Sequence, residues 1–140
     1  MKKVLFICKM NAGRSQIAEG FLENLTKKYK ALSAGVDVAR EGKDGKPLPS
    51  IVLELMQELG YDLSNHRRKQ VTPEMIKEAD RVIVILQKSE IENYVPDYIK
   101  NSPKTEYWDV EDMAGRDKDF FIEKGNEIRK RVEALIKDLG

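Results

Sequence analysis

Residues 4–15, VLFICKMNAGRS, join a short apolar run to the only cysteine of the chain and then to a glycine, an arginine and a serine. The run Val4–Ile7 has the continuous apolar character of a strand that is buried on both faces of a parallel sheet. Gly13 allows a tight turn, and Ser15 is the expected N-cap of a helix that follows. The stretch therefore predicts a strand, an anion-sized loop and a helix, in the order typical of α/β proteins.

The loop between this strand and this helix carries the groups needed to bind and attack an oxyanion. A thiolate at Cys8 can attack phosphorus or arsenic, and the guanidinium of Arg14 is a planar, two-pronged donor for the oxygens of an anion. We expect the loop amides, the helix end and Arg14 to stabilise the thiolate together. Cys8 and Arg14 are predicted to be catalytic. The residues predicted to bind substrate are Lys9, Met10, Asn11, Ala12, Gly13, Arg14 and Ser15.

Apolar periodicity along the rest of the chain alternates between strands and helices. The remaining predicted strands are 31–36, 82–86 and 105–108, and the remaining predicted helices are 51–59, 72–80 and 121–139, with a short helix or turn at 88–94. This alternation predicts a single α/β domain over residues 1–140, a three-layer sandwich in which a four-stranded parallel sheet has helices on both faces. Its ligand site should lie at the carboxyl ends of the strands, where Cys8 is placed.

Composition narrows the choice of partners. Lys and Arg number 25 against 24 Asp and Glu, so the net charge of +1 predicts neither nucleic-acid nor membrane binding. One cysteine cannot form an internal disulfide, and the short apolar start is unlike a secretory signal, so we expect a cytoplasmic protein. The expected partner is a phosphorylated small molecule or phosphoprotein, or arsenate with an external thiol or redox protein. The chain itself is expected to be a monomer or a weak dimer.

The lone histidine, His66, begins a basic run at residues 66–69. We expect it to lie on a surface turn among solvated charges, although this run is also suited to an acidic phosphopeptide. No cluster of metal ligands is visible in the sequence, so we predict no metal and no other cofactor. Four aromatic residues can either wall the site or pack in the core: Tyr94, Tyr98, Tyr107 and Trp108.

The pattern of cysteine, five residues, arginine and serine resembles the low-molecular-weight protein tyrosine phosphatase superfamily, which includes the thioredoxin-coupled type of arsenate reductase. Later landmarks agree with it in order, namely Ser33-Ala34-Gly35, the turn GYDLS at residues 60–64, and Ala79-Asp80 followed by the apolar strand at 82–86. The resemblance covers nearly the whole chain. It implies a four-stranded parallel sheet flanked by helices.

The resemblance also implies roles for single residues. Cys8 corresponds to the nucleophile, Arg14 to the oxyanion clamp, Asn11 to a residue that holds the loop in shape, and Ser15 to a hydroxyl that hydrogen-bonds the thiolate. The superfamily carries its general acid in a late Asp-Pro pair. Spacing from Trp108 points to Asp112 with Met113 in place of the proline, and Asp109 is a second candidate.

Departures from the superfamily leave three functions open. The phosphatase branch commonly has a second loop cysteine and aromatic residues after its Asp-Pro pair, whereas this chain has Met113-Ala114-Gly115. The reductase branch has relay cysteines after the third strand, and residues 86–96 contain none, so an internal disulfide relay is impossible. The first hypothesis is a cysteine-dependent phosphatase that acts on phosphomonoesters, with phosphotyrosine in proteins among the candidates. The alternatives are a single-cysteine arsenate reductase with an external reductant and a non-catalytic oxyanion-binding module.

Overall fold

Four strands alternate with helices in the computed structural model, which describes residues 1–140. The strands are β1 (Lys2–Cys8), β2 (Tyr29–Gly35), β3 (Arg81–Ile85) and β4 (Thr105–Trp108). The helices are α1 (Arg14–Leu25), α2 (Ser50–Glu58), α3 (Pro73–Glu78), α4 (Lys88–Tyr94), α5 (Asp97–Lys100) and α6 (Lys118–Leu139). None of these helices combines the length and the apolar character that crossing a lipid bilayer requires.

The strands form one sheet in the order β2-β1-β3-β4, and every neighbouring pair is parallel. This confirms the predicted four-stranded parallel sheet. The connection from β1 leads to one side of the sheet, and β3 lies on the other side of β1, so the strand order reverses beside β1. A reversal of this kind opens a crevice at the carboxyl ends of the strands. Cys8 is the last residue of β1 and pairs with Gly35 at this edge.

Alternate side chains of β1 enter two separate apolar cores, because successive strand residues point to opposite faces. Phe6 belongs to the larger core, which packs under α1, α2 and α6, and Ile7 belongs to a smaller core that packs under α3 and α5. Both residues are fully buried. The sheet is therefore covered by helices on both faces, as the continuous apolar run of β1 predicted.

The helix starts show where local sequence signals decide the structure and where they do not. Thr72 caps α3 as predicted, since its hydroxyl accepts the N–H of Met75 and Pro73 takes the first helical position. The prediction that Ser15 caps α1 is wrong. The N-cap of α1 is Gly13, which offers no side chain, and the hydroxyl of Ser15 instead contacts the sulfur of Cys8.

Candidate active site

Asn11 fixes the shape of the loop between β1 and α1. Its φ of 52° is the only positive value among the non-glycine residues, and asparagine tolerates this left-handed conformation better than most residues. Its fully buried side chain donates to the hydroxyls of Ser15 at 2.8 Å and Ser33 at 3.0 Å. Its Oδ1 accepts from the Lys69 N–H at 2.9 Å and from Gln16 Nε2 at 3.0 Å. The bend of the loop is thus tied to β2, to α1 and to the basic run.

Gly35 allows this loop to lie directly against the end of β2. A Cβ at this position would stand 2.7 Å from the Lys9 carbonyl oxygen and 2.9 Å from the Asn11 nitrogen. Both are backbone atoms, which cannot rotate away as the end of a flexible side chain can. The Ser33-Ala34-Gly35 landmark therefore has a steric reason, because any larger residue would push the loop away from β2.

The loop keeps a row of backbone donors free. The carbonyls of Cys8 and Lys9 accept the N–H groups of Val36 and Asp37, each at 3.0 Å. In contrast, the N–H groups of residues 9–13 donate to no acceptor within the protein. Successive free amides next to a left-handed residue form a nest, which is a common binding site for anions. The start of α1 adds the positive end of the helix dipole to this site.

Cys8 is the last residue before this loop and is only 2% exposed. Its Sγ is 2.9 Å from the hydroxyl oxygen of Ser15. Because this oxygen already accepts a hydrogen bond from Asn11, its own proton is available to the sulfur. The Ser15 hydroxyl is therefore placed to donate a hydrogen bond to the sulfur of Cys8.

Arg14 closes the loop and is held by Glu90, a residue that the sequence analysis missed. Its two terminal nitrogens donate to the Glu90 oxygens at 2.7 and 2.8 Å, and Nη1 also donates to the Val110 carbonyl at 3.0 Å. These bonds use three of the five N–H groups of the guanidinium. Two N–H groups, one on Nε and one on Nη2, remain for an oxyanion.

The ion pair keeps both partners charged although both are removed from water. Burial disfavours the charged form of Arg14, but the hydrogen bonds to Glu90 and the nearby Cys8 outweigh it, so the pKa of Arg14 is raised. Burial also opposes ionisation of Glu90, but its bonds with Arg14 and with the Gln87 N–H hold the pKa of that carboxyl below its usual range. Glu90 stands three residues after Gln87 at the start of α4, the spacing of a capping box, and this was the signal available in the sequence.

Asp112 reaches the same cavity from the loop after β4. Its Oδ1 is 4.0 Å from Arg14 Nη2 and accepts the Ala114 N–H at 3.1 Å, while half of its side chain is exposed. The following Met113 is buried, and its Cε would stand 3.3 Å from a Cβ placed on Gly13. Met113 therefore anchors the acidic loop against the anion loop. Asp109, the second candidate acid, is not among the residues that line the cavity.

The cavity has a volume of about 370 Å³ and brings together Cys8, Arg14 and Asp112. Among the residues predicted to bind substrate, Asn11 and Ser15 do not line it, because both lie buried behind the loop. The other members of that set do line it: Lys9, Met10, Ala12, Gly13 and Arg14. The lining also includes these apolar residues: Met10, Pro49, Val52, Met113, Ala114 and Phe121.

The four aromatic residues singled out in the sequence do not line this cavity. Trp108 is buried and packs against Phe6 in the larger core, with ring centroids 5.8 Å apart. Tyr94 lies beneath the ammonium group of Lys9, which is 4.4 Å from the ring centroid. Phe121 is thus the one aromatic residue that lines the cavity.

His66 is not the surface residue that the sequence analysis predicted. Its Nδ1 lies 2.8 Å from Gln16 Oε1 and 3.0 Å from Glu19 Oε2, and its Nε2 lies 2.9 Å from Glu23 Oε1. The bond to Glu23 raises the pKa of His66 despite its partial burial, with a further contribution from Glu19. Gln16 connects this cluster to Asn11.

The fold brings together three side chains of types that can bind a metal ion, and the sequence pattern did not predict this cluster. The donor atoms of Glu19, Glu23 and His66 lie within 4.8 Å of one another. Glu19 and Glu23 share one face of α1 because they are four residues apart, but His66 comes from a distant turn. Both ring nitrogens of His66 are engaged with neighbouring side chains, so the cluster holds the basic run against α1.

Residues 3–140 match the low molecular weight phosphotyrosine protein phosphatase family. The chain is 31% identical over 133 residues to an arsenate reductase of Staphylococcus aureus, a match that covers 94% of each chain. Among solved structures, Vibrio vulnificus Wzb in complex with benzylphosphonate is 24% identical, with a TM-score of 0.86 and 98% of each chain covered. An arsenate reductase in the phosphate binding state is 28% identical, with a TM-score of 0.82 and both chains covered completely.

These findings establish the fold and the family of the protein. The four-stranded parallel sheet and its helices form the same fold as Vibrio vulnificus Wzb. The chain belongs to the low-molecular-weight phosphotyrosine phosphatase family, whose members include both phosphatases and arsenate reductases. The resemblance noted in the sequence is therefore confirmed at the level of family and fold.

Proposed function

We propose that this protein is a cysteine-dependent phosphatase that hydrolyses phosphomonoesters through a phosphocysteine intermediate. The observation that carries the proposal is the row of free amides at residues 9–13, directly after the buried thiol of Cys8, with Cys8, Arg14 and Asp112 lining one cavity. Benzylphosphonate, an analogue of an aryl phosphate, occupies the related Wzb structure, and this supports a phosphoryl ligand here. All groups needed for turnover are contained in one chain.

The first step transfers the phosphoryl group to sulfur. The loop amides and the free N–H groups of Arg14 bind the oxygens of the dianion, and the Cys8 thiolate attacks phosphorus. The bond between phosphorus and the ester oxygen breaks as the S–P bond forms, and Asp112 in its protonated form gives its proton to the leaving oxygen. A positioned proton transfer of this kind accelerates reactions by roughly 100- to 10,000-fold.

The second step returns the enzyme to its starting state. The carboxylate of Asp112 takes a proton from water as the water oxygen attacks phosphorus. The S–P bond breaks, inorganic phosphate leaves, and the hydroxyl of Ser15 stabilises the released thiolate of Cys8. Asp112 is protonated again, so the cycle consumes one ester and one water and needs no redox partner.

An assay on 4-nitrophenyl phosphate tests this proposal. We expect turnover by the parent protein, none by Cys8→Ser, and a strong decrease for Asp112→Asn. Asp109→Asn is the matched control, because it removes a carboxylate from the same loop outside the cavity and should retain activity. Absence of turnover in the parent protein would refute the phosphatase. Normal turnover by Asp112→Asn with a decrease in Asp109→Asn would assign the acid to Asp109.

Arsenate reduction is the second candidate, because the Staphylococcus aureus relative at 31% identity is an arsenate reductase. The Cys8 thiolate would displace a hydroxyl group from arsenate and form an S–As(V) adduct. An external thiol would then attack the sulfur of Cys8, so that arsenic leaves as arsenite with two electrons and a mixed disulfide remains. A second external thiol would reduce that disulfide, since Cys8 is the only cysteine.

Thiol consumption distinguishes the candidates. Arsenate-dependent oxidation of added glutathione or of a redox protein, with no aryl phosphate turnover, would support the reductase. If both assays are silent while phosphate still protects Cys8 from alkylation, the protein is an oxyanion-binding module. The phosphatase proposal requires that the protein hydrolyse the aryl phosphate when neither glutathione nor a redox protein is added.

A further inference from the structure

Arg68 is a second guanidinium at the cavity, and the proposed reaction does not use it. It lines the cavity together with Cys8, and its only side-chain hydrogen bond runs from Nε to the Met10 carbonyl at 3.2 Å. Its two terminal nitrogens donate to no protein acceptor. A planar pair of free N–H donors matches the two oxygens of a carboxylate.

The charge of Arg68 is not neutralised by the protein. Arg14 is paired with Glu90, and Arg40 is paired with Asp37, whereas no ion pair of the protein includes Arg68. Partial burial lowers the pKa of Arg68, and the nearby Cys8 opposes this effect. The side chain therefore loses part of its hydration without gaining a carboxylate partner, which is the condition that favours an anionic ligand.

The backbone holds Arg68 in place at this wall. The Arg68 N–H donates to the Lys46 carbonyl at 2.9 Å, and the Arg68 carbonyl accepts the Gly45 N–H at 2.7 Å. The bond from its Nε to Met10 then joins the side chain to the anion loop. The donor pair is thus presented by an ordered segment and lies beside the loop that would hold the phosphoryl group.

Arg67 provides an internal comparison within the same basic run. Its side chain is exposed, its Nη1 donates to the carbonyls of Ser64 and His66, and it does not line the cavity. Of the two adjacent arginines, only Arg68 combines a free donor pair with a place in the cavity wall. The basic run therefore presents one residue to the substrate.

We propose that Arg68 binds a carboxylate on the substrate, so that the protein prefers phosphomonoesters that carry an acidic group beside the leaving oxygen. This inference rests on the proposed function, because it assigns the substrate class of the same site. Arg68 is a specificity-determining residue here, and the phosphoryl group itself stays with the loop amides and Arg14. The apolar residues that line the same cavity would contact the carbon skeleton between the two acidic groups.

Protection of Cys8 from iodoacetamide tests the preference without requiring turnover. The probes are benzylphosphonate and an analogue with one carboxylate on its ring. In the parent protein, we expect the carboxylated probe to give half-maximal protection of Cys8 at a concentration roughly tenfold lower than benzylphosphonate needs. In Arg68→Gln the two probes should become equivalent, and Arg68→Lys, which keeps the charge but loses the donor pair, should keep only part of the preference. Arg67→Gln removes a positive charge from the neighbouring residue and should leave the preference for the carboxylated probe unchanged.

Three results would overturn the inference. The first is equal protection by both probes in the parent protein. The second is a preference for the carboxylated probe that survives in Arg68→Gln. The third is an equal weakening of protection by both probes in Arg68→Gln, which would place Arg68 on the reacting oxyanion. Turnover of 4-nitrophenyl phosphate is measured separately, so that failure of the proposal for Arg68 can be distinguished from failure of the phosphatase proposal. Phosphotyrosine peptides that differ only in a neighbouring glutamate or glutamine then distinguish a carboxylate on a protein from one on a small molecule.

Discussion

Glu90→Gln is the sharpest test of how the protein holds its buried arginine. The change keeps the shape of the side chain but removes the charge that faces Arg14, which is 4% exposed. Of the two bonds at 2.7 and 2.8 Å, the amide oxygen can keep one, while the amide nitrogen meets the guanidinium as a second donor. Arg14 would then be a buried cation whose partner has lost its charge.

The expected cost follows from this loss. A hydrogen bond to a charged group contributes about 1.5–3 kcal/mol, and breaking one side of a buried pair costs up to about 5 kcal/mol. Because Glu90 retains some exposure and one bond survives, we expect the free energy of unfolding to fall by about 2–3 kcal/mol. For a chain of 140 residues this corresponds to a decrease in Tm of about 10 °C.

Urea unfolding at neutral pH measures this change, with Glu92→Gln on the exposed face of α4 as the matched control. The pKa of Glu90 is lowered in the folded state, so its stabilisation is present above the ordinary pKa of glutamate and is lost as the pH falls through the folded value. The difference between parent and variant should therefore shrink in acid. If Glu90→Gln unfolds like Glu92→Gln at neutral pH, the inference that Glu90 stabilises Arg14 is wrong.

Three further perturbations test the surroundings of the loop. Asn11→Ala should lower the unfolding free energy by about 3 kcal/mol in urea, because it removes four hydrogen bonds and the side chain suited to a φ of 52°; a cost below about 1 kcal/mol would contradict this. Gly35→Ala should weaken phosphate protection of Cys8 in an alkylation assay, since its Cβ would push on the backbone of the loop, and unchanged protection would refute that role. The pKa of His66 is raised by Glu23, so its stabilisation should be present below about pH 6.5 and be lost as the pH rises through the folded value. His66→Gln should abolish this component in unfolding curves taken across that range, and an unchanged pH profile would contradict it.

The parts of the protein that could be predicted from the sequence are those that local signals decide. The apolar run of β1 specified a buried parallel strand, and Thr72-Pro73 specified a helix start. Cys8 and Arg14 could be placed together because one short loop carries both. The prediction of Ser15 as a cap was wrong, because α1 begins one residue earlier, at Arg14, and the Ser15 hydroxyl contacts the sulfur of Cys8.

Other parts depend on long-range packing, which no local pattern contains. Glu90 reaches Arg14 across 76 positions of the chain, and His66 reaches Glu23 across 43. Arg67 and Arg68 are neighbouring residues of the same type, but only Arg68 lines the cavity, and its backbone and side chain bond to Gly45, Lys46 and Met10, which are distant in the sequence. Electrostatic partners of this kind are fixed by the packed fold and could not be predicted from the sequence.

The most direct test of the central proposal is to detect the phosphocysteine intermediate. The protein is mixed with 4-nitrophenyl phosphate as substrate, the reaction is quenched rapidly, and the peptide that contains Cys8 is analysed by mass spectrometry. We expect a phosphoryl group on Cys8 during turnover, its accumulation in a variant slowed at the second step such as Asp112→Asn, and its absence in Cys8→Ser. Turnover of the ester by the parent protein without any phosphoryl group on Cys8, or undiminished turnover by Cys8→Ser, would contradict the account.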